Sequence, residues 1–394
     1  MKQRTLSSSF ASFLECSRCQ KKYDLSLVNT FSKCCNKPLL VSYRVSRSFL
    51  KEDLNQRENT MWRYFEMLPV QNKQNIVSLG EGMTPLIRLS NLEDKYGFSS
   101  ILLKDESGNA TGSFKARGMS VAVSKMKELG INRCIIPTAG SAGVALAAYC
   151  AVANIHCVVV MPAHTPEILK KECELYGAEL ILVDGLISDC AKKVKEINAN
   201  ENYFDVSTLK EPYRLEGKKT MGYEIAEQLH WELPNVIVYP AGGGTGLIGI
   251  WKAFSEMLQL GWISGSLPKM IAVQAENCAP LFAAYNDPVN WKKAFHAKPS
   301  IANGLVVPDP FGMDLMQKVI YESDGDIVVV SEQAIMDGVK ELSKEEGVLL
   351  SPEGSATWQA LRALLKANKI NKSDSVLLLN TGSGYKYPDL LAMI

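Results

Sequence analysis

The chain is most tightly constrained by a unit that recurs from about residue 75 onward: a short Val/Ile/Leu run that ends in small or turn-forming residues, followed by an amphipathic stretch. Seven such runs stand out: CIIPTAG (134–140), CVVVMPA (157–163), ELILVDG (179–185), VIVYPAGGG (236–244), MIAVQAE (270–276), DIVVVS (326–331) and SVLLLNTGSG (375–384). Apolar runs without in/out alternation suit strands covered on both faces, so the pattern predicts parallel sheets flanked by helices. In such α/β layers ligands collect beyond the C-terminal strand ends, where each run closes. The stretch AGVALAAYCAVANIHCVVVMPA (142–163) has the length of a membrane span, yet Asn154, His156 and Pro162 interrupt it. It reads as a buried helix ending near Asn154, then a buried strand.

At 394 residues there is room for roughly two or three domains. With 43 basic against 42 acidic residues the formal net charge is +1, so no global field recommends nucleic acid or a membrane as partner. Small molecules and other subunits are expected instead. Ten cysteines, and no apolar signal stretch in MKQRTLSSSFASFLECSRC, indicate reduced thiols and a cytoplasmic home. Lys2, Arg4 and the serines before Glu15 leave a cleaved targeting segment as the alternative. Near the start, Cys16 and Cys19 form a CxxC pair, and Cys34 and Cys35 follow after fourteen residues. A zinc ribbon needs four converging thiolates. Adjacent Cys34 and Cys35 do not supply the usual second CxxC, and His156, His164, His230 and His296 are scattered far along the chain. No metal is therefore expected and the segment reads as a ribbon-like remnant, a distorted metal site being the alternative. A helix is expected in NTMWRYFEML (59–68).

Four motifs carry chemistry. In GNATGSFKARG (108–118) Lys115 stands at the first turn of an expected helix that Ser113 can cap and whose apolar positions Ala122, Met126 and Leu129 run to Gly130. An ammonium is badly placed at the positive end of a helix. The lysine either snorkels to water or serves as a neutral amine able to form a Schiff base. In PTAGSAGVALAAY (137–149) a small-residue loop enters a helix and either leaves N–H groups free for an anion or simply packs tightly on the sheet. In YPAGGGTGLIG (239–249), Gly242, Gly243, Gly244 and Gly246 allow the backbone to wrap a phosphate, with Thr245 adding a hydroxyl. It matches neither the dinucleotide fingerprint nor a P-loop, so a monophosphate cup is favoured over a plain turn. In LLLNTGSGYKY (377–387) a buried strand delivers Thr381 to its C-terminal end, where a hydroxyl can meet a ring nitrogen. Together, in this order, these four describe a pyridoxal phosphate site.

The same residues carry a resemblance to a known family. GEGMTPL (80–86), KDESGNATGSFKARG (104–118), TAGSAGVALAAY (138–149), EPYRLEGKKT (211–220), GGGTGLIG (242–249), ANGL (302–305), SPEGSAT (351–357) and NTGSGYK (380–386) resemble the threonine synthase family, within the fold-type II pyridoxal phosphate enzymes. The LECSRC…PLLVSY start is similar to that family's amino-terminal segment. The resemblance implies two α/β domains of the tryptophan synthase β-like kind, a larger one from 49–118 and 228–394 and a smaller one from 119–227, after a cysteine-containing segment at 1–48. It implies Lys115 as Schiff-base lysine and proton shuttle, with Phe114, Ser141, Gly242, Gly243, Gly244, Thr245, Gly246 and Thr381 holding pyridoxal 5'-phosphate. It further implies that Thr138, Ala139, Gly140, Ala142 and Gly143 take the substrate carboxylate. Arg214 then takes the substrate's phosphate; its plainer alternative is a surface salt bridge at a helix start. The expected reaction converts O-phospho-L-homoserine and water to L-threonine and phosphate, in a homodimer. Family members commonly carry Asn where Ser141 stands, and GGGTGLIG and ANGL are equally similar to the dehydratase branch. A Ser/Thr dehydratase or a cysteate-synthase-like β-replacement enzyme is therefore the alternative, and a non-catalytic binding homologue a third.

Overall fold

The computed structural model describes residues 8–393; the opening residues with Lys2 and Arg4, on which the targeting alternative rests, lie outside the described residues. The amino-terminal segment forms a three-stranded antiparallel sheet in the order β2-β1-β3, from β1 (Ala11–Cys16), β2 (Lys22–Tyr23) and β3 (Leu39–Tyr43). The expected helix in NTMWRYFEML is instead a kinked 3-10 segment, Met61–Met67, broken at Tyr64. Every residue from 61 to 70 is buried, so no polar face exists for an amphipathic helix to turn outward.

β4 (Leu86–Arg88) runs antiparallel to β5 (Ser100–Asp105). After helix Lys115–Glu128 come β6 (Arg133–Pro137), β7 (His156–Pro162), β8 (Glu179–Val183) and the two-residue β9 (Phe204–Asp205), a parallel sheet in the order β8-β7-β6-β9. Helix Tyr213–Gln228 then leads to β10 (Val236–Pro240), β11 (Lys269–Ala275), β12 (Asp326–Val330) and β13 (Ser375–Asn380). These join β5 and β4 in a six-stranded sheet, β12-β11-β10-β13-β5-β4, parallel except for β4. All seven apolar runs are strands. β5 escaped the pattern because Lys104 interrupts its run; β4 and β9 are too short to show one.

The membrane-like stretch is helix Ser141–Ala153, stopped by Asn154 at φ 54°, followed by β7. Among the described residues, no helix is long and apolar enough to cross a membrane. Helices Lys115–Glu128 and Tyr213–Gln228 pack backbone to backbone. A Cβ on Gly217 would fall 2.0 Å from the Arg117 carbonyl oxygen, so only glycine permits this approach. That contact fixes the residues on either side of it: Lys115 on one helix, Arg214 and Lys218 on the other.

Candidate active site

The loops after β6, β10 and β13 and the start of the Lys115 helix face one cleft, with about 780 Å³ of space outside protein atoms, its mouth included. Lys115 is the first residue of its helix. It is pinned to the end of β13 by the Phe114 N–H, which donates to the Thr381 carbonyl at 3.1 Å, and by a bridge between Ser113 and Gly382. Ser113 does not cap the helix. The bridge holds it extended at φ −164°, and its buried hydroxyl finds no partner. The helix runs to Glu128 with Gly130 just beyond at φ 70°, as the spacing predicted.

Thr138, Ala139, Gly140, Ser141 and Ala142 line the cleft opposite. The Thr138 hydroxyl accepts from Gly140 N (3.0 Å) and Gly143 N (3.2 Å), which folds this loop back on itself. Gly143 lies behind the wall: its hydrogen faces Val159 and Thr138. The third wall is Gly242, Gly243, Gly244 and Thr245, at the N-terminus of the sixteen-residue helix Thr245–Leu260, a natural seat for an anion. Gly244 is left-handed at φ 76°, and a Cβ there would fall 2.2 Å from Met316 Sδ. Gly246 is outside the lining; a Cβ on it would fall 1.9 Å from the Tyr239 hydroxyl, so it is required for packing behind the cup.

Three cations converge on this cleft. Arg214 is buried rather than in a surface salt bridge. Its Nη1 donates to the Val206 carbonyl at 2.8 Å, while Nε has no hydrogen-bond partner and stands 3.9 Å from Glu211 Oε1. Lys218, one turn along the same helix face, donates from Nζ to Thr245 Oγ1 at 2.6 Å. Burial, then the neighbouring Arg214 and Lys115 charges, hold its ammonium well below the usual lysine range. Lys115 is brought down to about 8, by burial first; Glu353 opposes the shift, and Arg214 and Lys386 add to it. The carboxylates do not balance these charges. Burial pushes Glu211 up to about 7, against the pull of Arg214. Glu353 accepts from Gly304 N and the Tyr387 hydroxyl, both at 2.7 Å.

Lys218, Glu353, Asn303 and Tyr387 line the site although the motif reading assigned them no role. Lys218 could have been found from its four-residue spacing after Arg214 in PYRLEGKKT. Glu353 and Tyr387 arrive from far along the chain, and only folding joins them.

A family model for pyridoxal-phosphate dependent enzymes matches residues 77–382. The chain is 32% identical over 378 residues to the threonine synthase of Methanocaldococcus jannaschii, covering 95% of this chain and 93% of that protein. This chain belongs to the threonine synthase family of pyridoxal-phosphate dependent enzymes. The threonine synthase of Methanosarcina acetivorans is also 32% identical, over 380 residues, with 95% and 92% of the two chains covered. Among solved structures, maize serine racemase matches with a TM-score of 0.65 at 20% identity, over 79% of this chain and 91% of that one. Threonine deaminase isoform 2 from Solanum lycopersicum matches at 0.63 and 20%, over 79% and 84%. At those identities the two structures speak to the fold, which is the fold-type II arrangement. The family member is thus a pyridoxal-phosphate dependent lyase. Its cleft fits that cofactor: a glycine cradle at a helix start, a lysine with a depressed pKa and an orphaned guanidinium nitrogen.

Proposed function

We propose that this enzyme converts O-phospho-L-homoserine and water to L-threonine and phosphate. The observation that carries the reading is the charge balance of the cleft. Lys115, Arg214 and Lys218 line the cleft with one carboxyl residue, Glu353, while Glu211, 3.9 Å from Arg214 and outside the lining, is shifted up to about 7. Buried cations without counter-charges are costly, and anionic ligands would offset that cost. Cofactor and substrate would bring two phosphates and one carboxylate. A serine or threonine substrate would bring only its carboxylate and leave Arg214 unmatched.

In this reading Gly242–Thr245 hold the cofactor phosphate, Phe114 and Ser141 flank the ring, and the Thr381 hydroxyl meets the ring nitrogen. Bound there, pyridoxal phosphate supplies the electron sink that makes an amino acid's Cα–H acidic. Lys115 Nζ, poised near pH 8, would take the Cα proton and then a Cβ proton, and return protons as water adds at Cβ. The loop from Thr138 to Ala142 would hold the substrate carboxylate, with Gly143 packed behind it. Arg214, with its free Nε, would grip two oxygens of the phosphate leaving Cγ, and Lys218 would add a point charge beside Thr245.

The test is turnover of O-phospho-L-homoserine by purified holoenzyme, following phosphate and threonine together. Equimolar formation of both is expected. Ketoacid from serine or threonine, with O-phospho-L-homoserine left intact, would overturn the reading in favour of the dehydratase branch.

A further inference from the structure

We propose that the amino-terminal segment is a structural zinc site, with Cys16, Cys19, Cys34 and Cys35 as its four ligands. The sequence argued against this because Cys34 and Cys35 are adjacent. The structure nevertheless brings the four Sγ atoms within 4.8 Å of one another, with Cys19 and Cys34 at 3.3 Å. Tetrahedral thiolates about 2.3 Å from a zinc ion stand roughly 3.8 Å apart, so the set needs only small side-chain adjustments.

The backbone shows how adjacent cysteines reach one point. Two turns of the same design face each other. In the first, Gln20 N donates to Cys16 O (3.0 Å), Cys16 N donates to Lys21 O (2.9 Å), and Gln20 is left-handed at φ 62°. In the second, Asn36 N donates to Ser32 O (2.9 Å), Ser32 N donates to Lys37 O (2.9 Å), and Asn36 is left-handed at φ 51°. Cys19 and Cys35 hold the same place in the two turns. Ser32 stands where the first turn has Cys16, and Cys34 supplies the missing sulfur from inside the turn. The buried Ser32 hydroxyl accepts from Lys37 N at 3.1 Å and lies 3.2 Å from Cys16 Sγ, free to donate its proton to that sulfur. Such an outer hydrogen bond orients a ligand sulfur. Strands β1, β2 and β3 complete a ribbon around the two turns.

A second cysteine group, Cys134, Cys150 and Cys157, is as closely gathered but differs in kind. All three are buried among the aliphatic side chains of β6, β7 and the helix between them, and they number three, too few to close a four-thiolate site. They behave as small apolar core residues. The amino-terminal four include exposed Cys19 and Cys34, which a metal ion can reach.

The ribbon also has a contact that gives zinc a consequence. Phe31 meets Phe311 edge to face at 5.9 Å, and Lys37 pairs with Asp314. Two residues on, Met316 supports Gly244 of the phosphate cup. The metal-fixed turn therefore braces the segment beneath that loop.

Metal content of the untagged full-length holoenzyme, isolated in reducing buffer, tests the proposal. About one zinc per chain is expected, released by a mercurial with the unmasking of four thiols. Cys19→Ser and Cys35→Ser should each lose most of the zinc and lower the melting temperature, whereas Cys150→Ala should keep it. Should the serine variants fail to fold, the mercurial titration of the wild-type protein decides alone. Absence of zinc after incubation with zinc chloride, iron in its place, a Cys19–Cys34 disulfide, or zinc that follows Cys150 would each overturn the assignment.

Discussion

Two buried charge clusters lie on opposite sides of the contact between helices Lys115–Glu128 and Tyr213–Gln228, and they are built on opposite principles. In the first, Arg117 and Lys104 meet Glu106 and Glu224 with every charge answered. Arg117 forks onto Glu106 (2.6 and 2.8 Å) and also reaches Glu224, while Lys104 reaches Glu224 (3.0 Å), Gln228 (2.7 Å) and the Thr84 carbonyl (2.7 Å). Burial would raise the Glu224 carboxyl, but Arg117 and Lys104 outweigh it and hold it low. In the second, Lys115, Arg214 and Lys218 are buried with too few anions. Arg117 and Lys115 are two residues apart, yet these neighbours in sequence face different surroundings. A closed network belongs to the fold, whereas an open one is a place kept for ligands.

That comparison breaks or sharpens under substitution. The largest expected effect is Lys115→Ala, which should abolish turnover and the yellow colour of the holoenzyme while leaving the melting temperature nearly unchanged. Arg117→Ala should do the reverse. It leaves the buried Glu106 carboxylate without a cation and Glu224 with Lys104 alone, and should cost about 3–5 kcal/mol in denaturant unfolding. Equal stability of these two variants would erase the distinction between the clusters. Arg214→Ala should lower kcat/KM for O-phospho-L-homoserine by about 10²-fold or more, the cost of roughly 3 kcal/mol of charge-assisted phosphate contact, with little loss of stability.

The pH response is gentler. Lys115 falls from 10.5 to about 8 in the folded chain, so between those values the unfolded chain binds more protons. Apoenzyme stability should therefore rise with pH across that window, and the rate of reconstitution with pyridoxal phosphate should rise through about 8. A Lys115→Met apoenzyme should show a smaller rise, Lys218 still contributing in the same window, which calorimetry across it would show. Smallest is Ser141→Asn, expected to change kcat/KM by less than about tenfold, since Ser141 already lines the cleft beside Lys115.

The seven apolar runs disclosed the sheets because a strand covered on both faces has no room for polar residues. Three of the four loops disclosed the cofactor class because each lies at the end of such a strand; the Lys115 loop follows β5, whose run Lys104 interrupts. Lys218 was overlooked because Arg214 alone was drawn from its motif. The closed network around Arg117 was not legible, since Glu106 and Glu224 are separated by 118 positions and meet only through helix packing. For Cys34 and Cys35, adjacency suggested a broken site, whereas a serine-for-cysteine turn brings both sulfurs inward.

By itself the sequence determined the α/β layering, the lysine and the glycine cup, because these depend on local pattern and on backbone freedom at neighbouring residues. Tertiary structure alone decided which buried charges are answered and which stand open. That depends on partners such as Glu224, a hundred or more residues from Arg117 and Lys104, brought within hydrogen-bond reach where two helices touch at Gly217.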